Sequence, residues 1–194
     1  MPPVYDMLKL SEVKIILREY NIRPSKRFGQ NFLIDQNIKN KIIGSIQLKR
    51  EDIVLEVGPG LGALTEDLCR KVKKVIAIEK DNRLYDFIKK NISLDNLEII
   101  NNDFLEYEFK NISSKLTIVG NLPYSISSPI LNKLIDNRGS IKSLYATVQA
   151  EFGERIVALP GTKNYGSLSC YAQFYGEPKI YLKYQEGYFS QSLK

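Results

Sequence analysis

The chain has 194 residues, 43% of them hydrophobic and 26% charged, enough for one α/β domain with a sizeable core. It has no histidine and only two cysteines, Cys69 and Cys170, which excludes a Cys/His zinc site as well as histidine general-base and phosphohistidine chemistry. The net charge of +6 is localised: residues 1–50 carry ten lysines and arginines against four acids, and the remainder is balanced. Such a segment points to an anionic partner (RNA, DNA or an acidic membrane surface), with a solvated lysine-rich face as the plain alternative. No apolar run approaches the roughly 20 residues of a membrane span. The first residues lack a secretory pattern, so the sequence predicts a cytoplasmic protein that does not enter the membrane.

Residues 8–20 place Leu10, Val13, Leu17 and Tyr20 on one helical face, with Lys9, Lys14 and Arg18 interleaved, which predicts an amphipathic helix. Residues 21–34 contain Pro24, Gly29 and the pair Lys26-Arg27 and read as a loop. Asp35 is placed to cap a helix running to about Gln47. A strand–helix alternation follows. Strands are expected at 53–57, 75–78, 97–100, 116–119 and 144–148, with a sixth at 178–184. Helices are expected at 63–71, 81–92, 128–137 and 151–159. Short apolar strands alternating with helices predict a parallel, doubly wound α/β sheet. Ligands bind outside the carboxyl ends of such strands. Function should therefore lie in residues 58–62, Glu79, Asp103 and residues 121–124, which follow the strands.

The run Glu56-Val57-Gly58-Pro59-Gly60-Leu61-Gly62 joins a strand to a helix, and its glycines let the backbone pass close to a ligand. Gly58, Gly60 and Ala63 also satisfy the dinucleotide pattern, so a NAD-dependent oxidoreductase competes. The acid two residues before the first glycine, Pro59 and Gly62 favour the S-adenosylmethionine loop of class I methyltransferases instead. Glu79 ends the second strand, where a carboxylate can accept two ribose hydroxyls of either cofactor. Asp103 can accept an adenine amino group or simply cap the turn that follows.

Asn121-Leu122-Pro123-Tyr124 is the most specific signal. A side-chain amide oxygen and a backbone carbonyl can each accept one N6–H of an adenine. Pro123 holds Leu122 extended and so aims its carbonyl. Tyr124 offers a face for an unstacked base. The base nitrogen needs orientation more than a strong general base.

Together, Lys26-Arg27-Phe28-Gly29-Gln30-Asn31-Phe32-Leu33, residues 56–62, Glu79, Asp103, residues 121–124 and Tyr165-Gly166-Ser167-Leu168-Ser169 resemble the kasugamycin-sensitivity rRNA adenine-N6,N6-dimethyltransferases. Macrolide-resistance rRNA methyltransferases and mitochondrial transcription factor B are relatives of that family. The resemblance implies a class I, Rossmann-like methyltransferase that uses S-adenosyl-L-methionine to dimethylate adenines of small-subunit rRNA in ribosome biogenesis. Residues 149–155 and 160–166 favour the small-subunit branch over a methyltransferase of large-subunit rRNA. A non-catalytic RNA-binding assembly factor is the rival of another class.

The resemblance also distributes roles. Residues 1–34 become a basic N-terminal helix and cofactor-covering loop, and 35–194 the catalytic domain. Gln30, Asn31 and Leu33 would close over the cofactor, and Glu56, Gly58, Gly60 and Gly62 would cradle it. Glu79 and Lys80 would lie at the ribose, Asp103 and Phe104 at the adenine, and Asn121 beside both cofactor and target. Asn121, Leu122, Tyr124 and Phe189 would surround the target base, and Arg23, Lys26 and Arg27 would hold RNA. No metal is implied, and the expected state is a monomer acting on a pre-30S-type subunit. Two departures stand out. Asn102 replaces the usual glycine, with little effect expected, and Phe189-Ser190-Gln191-Ser192 replaces a Phe-x-Pro-x-Pro stretch. The chain is expected to lack the family's last strand and helical C-terminal domain.

Overall fold

The computed structural model describes residues 7–22, 32–109, 114–184 and 189–190. In chain order the elements are α1 (Leu10–Glu19), β1 (Phe32–Leu33), α2 (Gln36–Ser45), β2 (Ile53–Val57), α3 (Thr65–Lys71), β3 (Lys74–Glu79), α4 (Asn82–Asn91), β4 (Leu97–Asn101), β5 (Leu116–Asn121), α5 (Ser127–Asp136), β6 (Ile141–Thr147), α6 (Ala150–Ile156), α7 (Ser167–Tyr175) and β7 (Phe189–Ser190). Five strands form one parallel sheet in the order β4-β3-β2-β5-β6. The expected doubly wound architecture is therefore present, with each anticipated strand from 53 to 148 found within a few residues.

The central strands are apolar because helices cover both faces. Val54 and Val75 pack with Ile38, Ile42 and Leu68 of α2 and α3. Leu55, Ile78 and Ile118 pack with Ile130 and Leu134 of α5 on the other side. Asp35 caps α2 as expected, its carboxylate accepting the Ile38 N–H at 2.8 Å. On α1 the buried residues are Val13, Ile16 and Leu17, which meet Leu84, Phe87 and Ile88 of α4. Leu10, assigned to the buried face from the sequence, is instead 42% exposed. The apolar stripe there is shifted, because α4 and not the helix's own periodicity decides which residues are covered.

Two other expectations change. Residues 178–184 have no regular secondary structure and form no ladder among the described residues, so the sixth strand is not realised. Alternation of Ile180, Leu182 and Tyr184 encodes an extended conformation, yet a strand exists only with a hydrogen-bonding neighbour. Here a groove of about 870 Å³ separates the segment from β6. It is bridged by side chains, including the Tyr145 and Tyr181 rings 6.4 Å apart. The second change is α7, which the sequence reading did not assign. Ser169 anchors it by donating to the Arg155 carbonyl at 2.5 Å.

β2 and β5 approach unusually closely at Gly120. A Cβ there would lie 2.9 Å from the Val57 carbonyl oxygen and 3.1 Å from the Val57 Cβ. The obstruction is backbone, so it cannot rotate away. Gly120→Ala is expected to destabilise the fold by about 1–3 kcal/mol through overpacking. Urea unfolding of the two proteins checks this, and an unchanged midpoint would contradict the close contact.

Candidate active site at the carboxyl edge of the sheet

The parallel register brings the turns after β2, β3, β4 and β5 together. Val57 pairs with both Ile78 and Gly120, Glu79 with Asn101, and Asn121 with Thr147. These turns line a cleft of about 150 Å³, with Phe32 and Leu33 of β1 on one side.

The glycine loop forms its floor. Gly58, Gly60 and Gly62 have φ of 65°, 62° and 85°, a conformation costly for other residues. Gly58 and Gly60 face the cleft, and Gly58 would meet nothing within 4 Å if it carried a Cβ. Gly62 has a packing task of its own. It lies outside the cleft lining, and its missing Cβ makes room for Ile92, whose Cδ1 would be only 2.4 Å away. It packs the loop onto the end of α4.

Two buried carboxylates face this loop. Glu56 is 2% exposed and accepts the Thr65 hydroxyl at 2.8 Å. Glu79 is 6% exposed; its Oε1 accepts the Asp81 N–H at 2.8 Å and its Oε2 the Gly60 N–H at 3.1 Å. Each oxygen of a carboxylate has a second lone pair, so Glu79 keeps capacity for a further donor. Burial pushes both groups up to about 7, and in Glu56 the charge of Glu79 adds to the effect. The main chain of Glu79 is clamped as well: its carbonyl accepts the Asn101 amide at 3.0 Å and the Asn102 N–H at 3.1 Å.

Asp103 takes the capping role weighed for it and adds an ion pair. Its Oδ1 accepts the Leu105 N–H at 2.9 Å and so caps the following turn, while its Oδ2 pairs with the Lys80 ammonium. Burial pushes its carboxyl up, but the Lys80 hydrogen bond, the Leu105 N–H and the nearby lysine charges outweigh this and hold it below the usual range. Lys133 of α5 donates to the Leu105 carbonyl at 2.8 Å and ties this loop to the helix beneath the cleft. Phe104 lines the same end.

Asn121 ends β5 at the opposite end, half-buried beside Pro123 and Thr147. The Leu122 side chain turns into the core, and its N–H donates to the Thr147 carbonyl at 2.9 Å. Residues Tyr124–Ile126 form a short 3-10 turn into α5. The fully buried Ser127 hydroxyl donates to the Pro123 carbonyl at 2.8 Å and fixes that turn. Thr65, Gly120 and Ser127 were missed from sequence. Their signal was positional, since each sits one to four residues from a motif. Phe189 pairs in backbone register with Leu33, which places it beside the wall of the cleft. Arg23, Lys26, Arg27, Gln30 and Asn31 lie outside the described residues. Among the described residues, no group of three or more histidine, cysteine or acidic side chains could hold a metal, and no helix is long and apolar enough to cross a membrane.

The family model for ribosomal RNA adenine dimethylase matches residues 21–192. The chain belongs to that family. It is 40% identical over 177 residues to the ribosomal RNA small subunit methyltransferase A of Clostridium acetobutylicum, covering 89% of this chain and 64% of that protein. It is also 40% identical over 176 residues to the protein of the same name from Halothermothrix orenii, covering 87% and 58%. The chain thus spans about 58–64% of the length of these relatives. Among solved structures it resembles a dimethyladenosine transferase from Plasmodium falciparum, with TM-score 0.61, 38% identity, and 70% and 49% of the two chains covered. It also resembles the 23S rRNA methyltransferase ErmE, with TM-score 0.55, 30% identity, and 64% and 50% covered. The fold is that of the class I methyltransferases.

The raised carboxyls make stability depend on pH. A group that ionises at 4.5 in the unfolded chain and at about 7 in the fold binds more protons when folded between those values. Its contribution is complete below the lower value and is lost as pH rises through the higher one. Urea midpoints of this family member, measured from about pH 5 to about pH 8, should therefore fall more steeply for the wild type than for Glu79→Gln. Parallel profiles would show that Glu79 ionises as freely in the fold as in the unfolded chain.

Proposed function

We propose that the chain binds S-adenosyl-L-methionine and forms the catalytic part of an enzyme that dimethylates N6 of adenines in small-subunit ribosomal RNA. One observation carries this reading: a single cleft holds carboxylates suited to a nucleoside at one end and Asn121 at the other. The family and its methyltransferase relatives imply the methyl donor, and the relatives named for the small subunit supply the substrate class.

The residues present fit the cofactor. Open glycine backbone at Gly58, with Gly60 beside the Phe32 ring, can accommodate its amino acid and ribose parts, and Glu56 and Glu79 offer buried acceptors. Glu79 would take the ribose hydroxyls on its remaining lone pairs, and Asp103 the adenine amino group. The cofactor supplies a methyl group already activated on a sulfonium. The protein's task is then orientation of the base. The Asn121 amide oxygen and the Leu122 carbonyl would accept the two N6–H groups, with Pro123 and Ser127 fixing the turn that presents them. Tyr124 and Phe189 would enclose the base. Leu33, Gln30 and Asn31 would cover the cofactor from the N-terminal segment, residues 1–34, ahead of the catalytic domain at 35–194. Arg23, Lys26 and Arg27 would neutralise RNA phosphates. The expected setting is a cytoplasmic monomer working on a pre-30S-type subunit.

Calorimetry tests the cofactor. S-adenosylhomocysteine should bind and NAD should not, and Glu79→Ala should weaken binding by about 1.5–3 kcal/mol, the worth of hydrogen bonds to a charged group. Binding of NAD with no response to S-adenosylhomocysteine would overturn the reading. For the chemistry, a protein of the relatives' full length is the material. Asn121→Ala should abolish dimethyladenosine formation, read by mass spectrometry of RNA fragments, with S-adenosylhomocysteine affinity little changed. Wild-type turnover in that variant would remove Asn121 from the role.

A further inference from the structure

Among the described residues, Lys80 is the sole cation lining a cleft whose other charged residues are Glu56, Glu79, Asp81 and Asp103. Its position follows from the sheet. Glu79 pairs with Asn101, so the residue after β3 and the second residue after β4 stand on adjacent strand ends. The Lys80 ammonium meets Asp103 Oδ2, while Oδ1 is committed to the Leu105 N–H at 2.9 Å. The Lys80 side chain is 55% exposed and that of Asp103 only 18%. The outward oxygen of a sheltered carboxylate is therefore covered by a half-solvated cation.

This matters for whatever Asp103 recognises. A purine 6-amino group donates and wants Oδ2, so it must share that oxygen with the ammonium and competes with it there. A purine 6-oxo group accepts and would be repelled by a bare carboxylate, but the Lys80 ammonium can donate to it. We propose that Lys80 determines the purine specificity of the cleft by setting a donor beside the Asp103 acceptor, which narrows the preference for a 6-amino over a 6-oxo purine. The proposal rests on the assignment of a purine nucleoside to this cleft. An ion pair this exposed is worth little, so its competition with the amino group is small, about two- to fivefold. Loss of the Lys80 donor costs more, about tenfold, because the oxo oxygen then faces an unshielded carboxylate.

The test is calorimetry with S-adenosylhomocysteine and its deaminated analogue S-inosylhomocysteine, on the wild type, Lys80→Met and Lys80→Arg. Methionine keeps the unbranched stem and removes the charge, and thermal melts confirm that the variants fold. Lys80→Met should bind S-adenosylhomocysteine about two- to fivefold more tightly and S-inosylhomocysteine about tenfold more weakly. Lys80→Arg, which retains a donor, should keep the wild-type ratio. A residue with a merely structural role would move both affinities together. An unchanged ratio in Lys80→Met, with S-adenosylhomocysteine still bound, would overturn the proposal alone. Failure of the wild type to bind either ligand would overturn the cofactor assignment on which it rests.

Discussion

The parallel pairing of β2 between β3 and β5 is the constraint from which the rest follows. β2 is buried on both faces, and at Gly120 the neighbouring strand comes so close that no Cβ fits. Parallel strands in tight register end at one level, so the residues just past them form a row. Gly58, Lys80, Asp103 and Leu122 stand in that row with no contact between them required in sequence. A shift in either pairing would move whole turns away from the cleft, since a register slip changes the facing of every side chain along the strand.

Local chemistry then refines what the sheet has placed. The glycine loop supplies N–H groups as well as space, and one of them, at Gly60, holds Glu79 in its buried position. Without that N–H and the one from Asp81, a carboxylate so sheltered would be still harder to ionise. At the other end, Ser127 does for the Pro123 carbonyl what Thr65 does for Glu56: a buried hydroxyl satisfies an acceptor that a turn would otherwise leave unpaired. The turns at the ends of β3 and β5 are thus each pinned by hydrogen bonds to buried groups.

The far edge of the sheet is organised differently. β6 pairs with β5 on one side, and on the other side a groove separates it from residues 178–184. Side chains cross that groove, but no backbone ladder does among the described residues. The contrast with the β2–β5 contact follows the sequence: β2 and β5 are nearly continuous apolar runs buried on both faces, whereas residues 178–184 alternate and stay largely exposed.

Much of this protein could be read from its residues. The alternation of apolar strands with helices, the Asp35 cap, and the four post-strand motifs depend on near neighbours along the chain, and periodicity records near neighbours well. The residue types at those turns also marked where the cleft lies, because glycines and a strand-end glutamate each satisfy a local geometric demand at its lining. Other features were not legible. Whether Leu10 or Ile16 is covered depends on where α4 lies. Whether residues 178–184 form a strand depends on a partner at hydrogen-bonding distance. That Gly62 serves Ile92, and that Lys80 holds Asp103, are pairings across 30 and 23 positions. Such contacts leave no periodic trace, since they arise only when distant segments are brought side by side by the sheet.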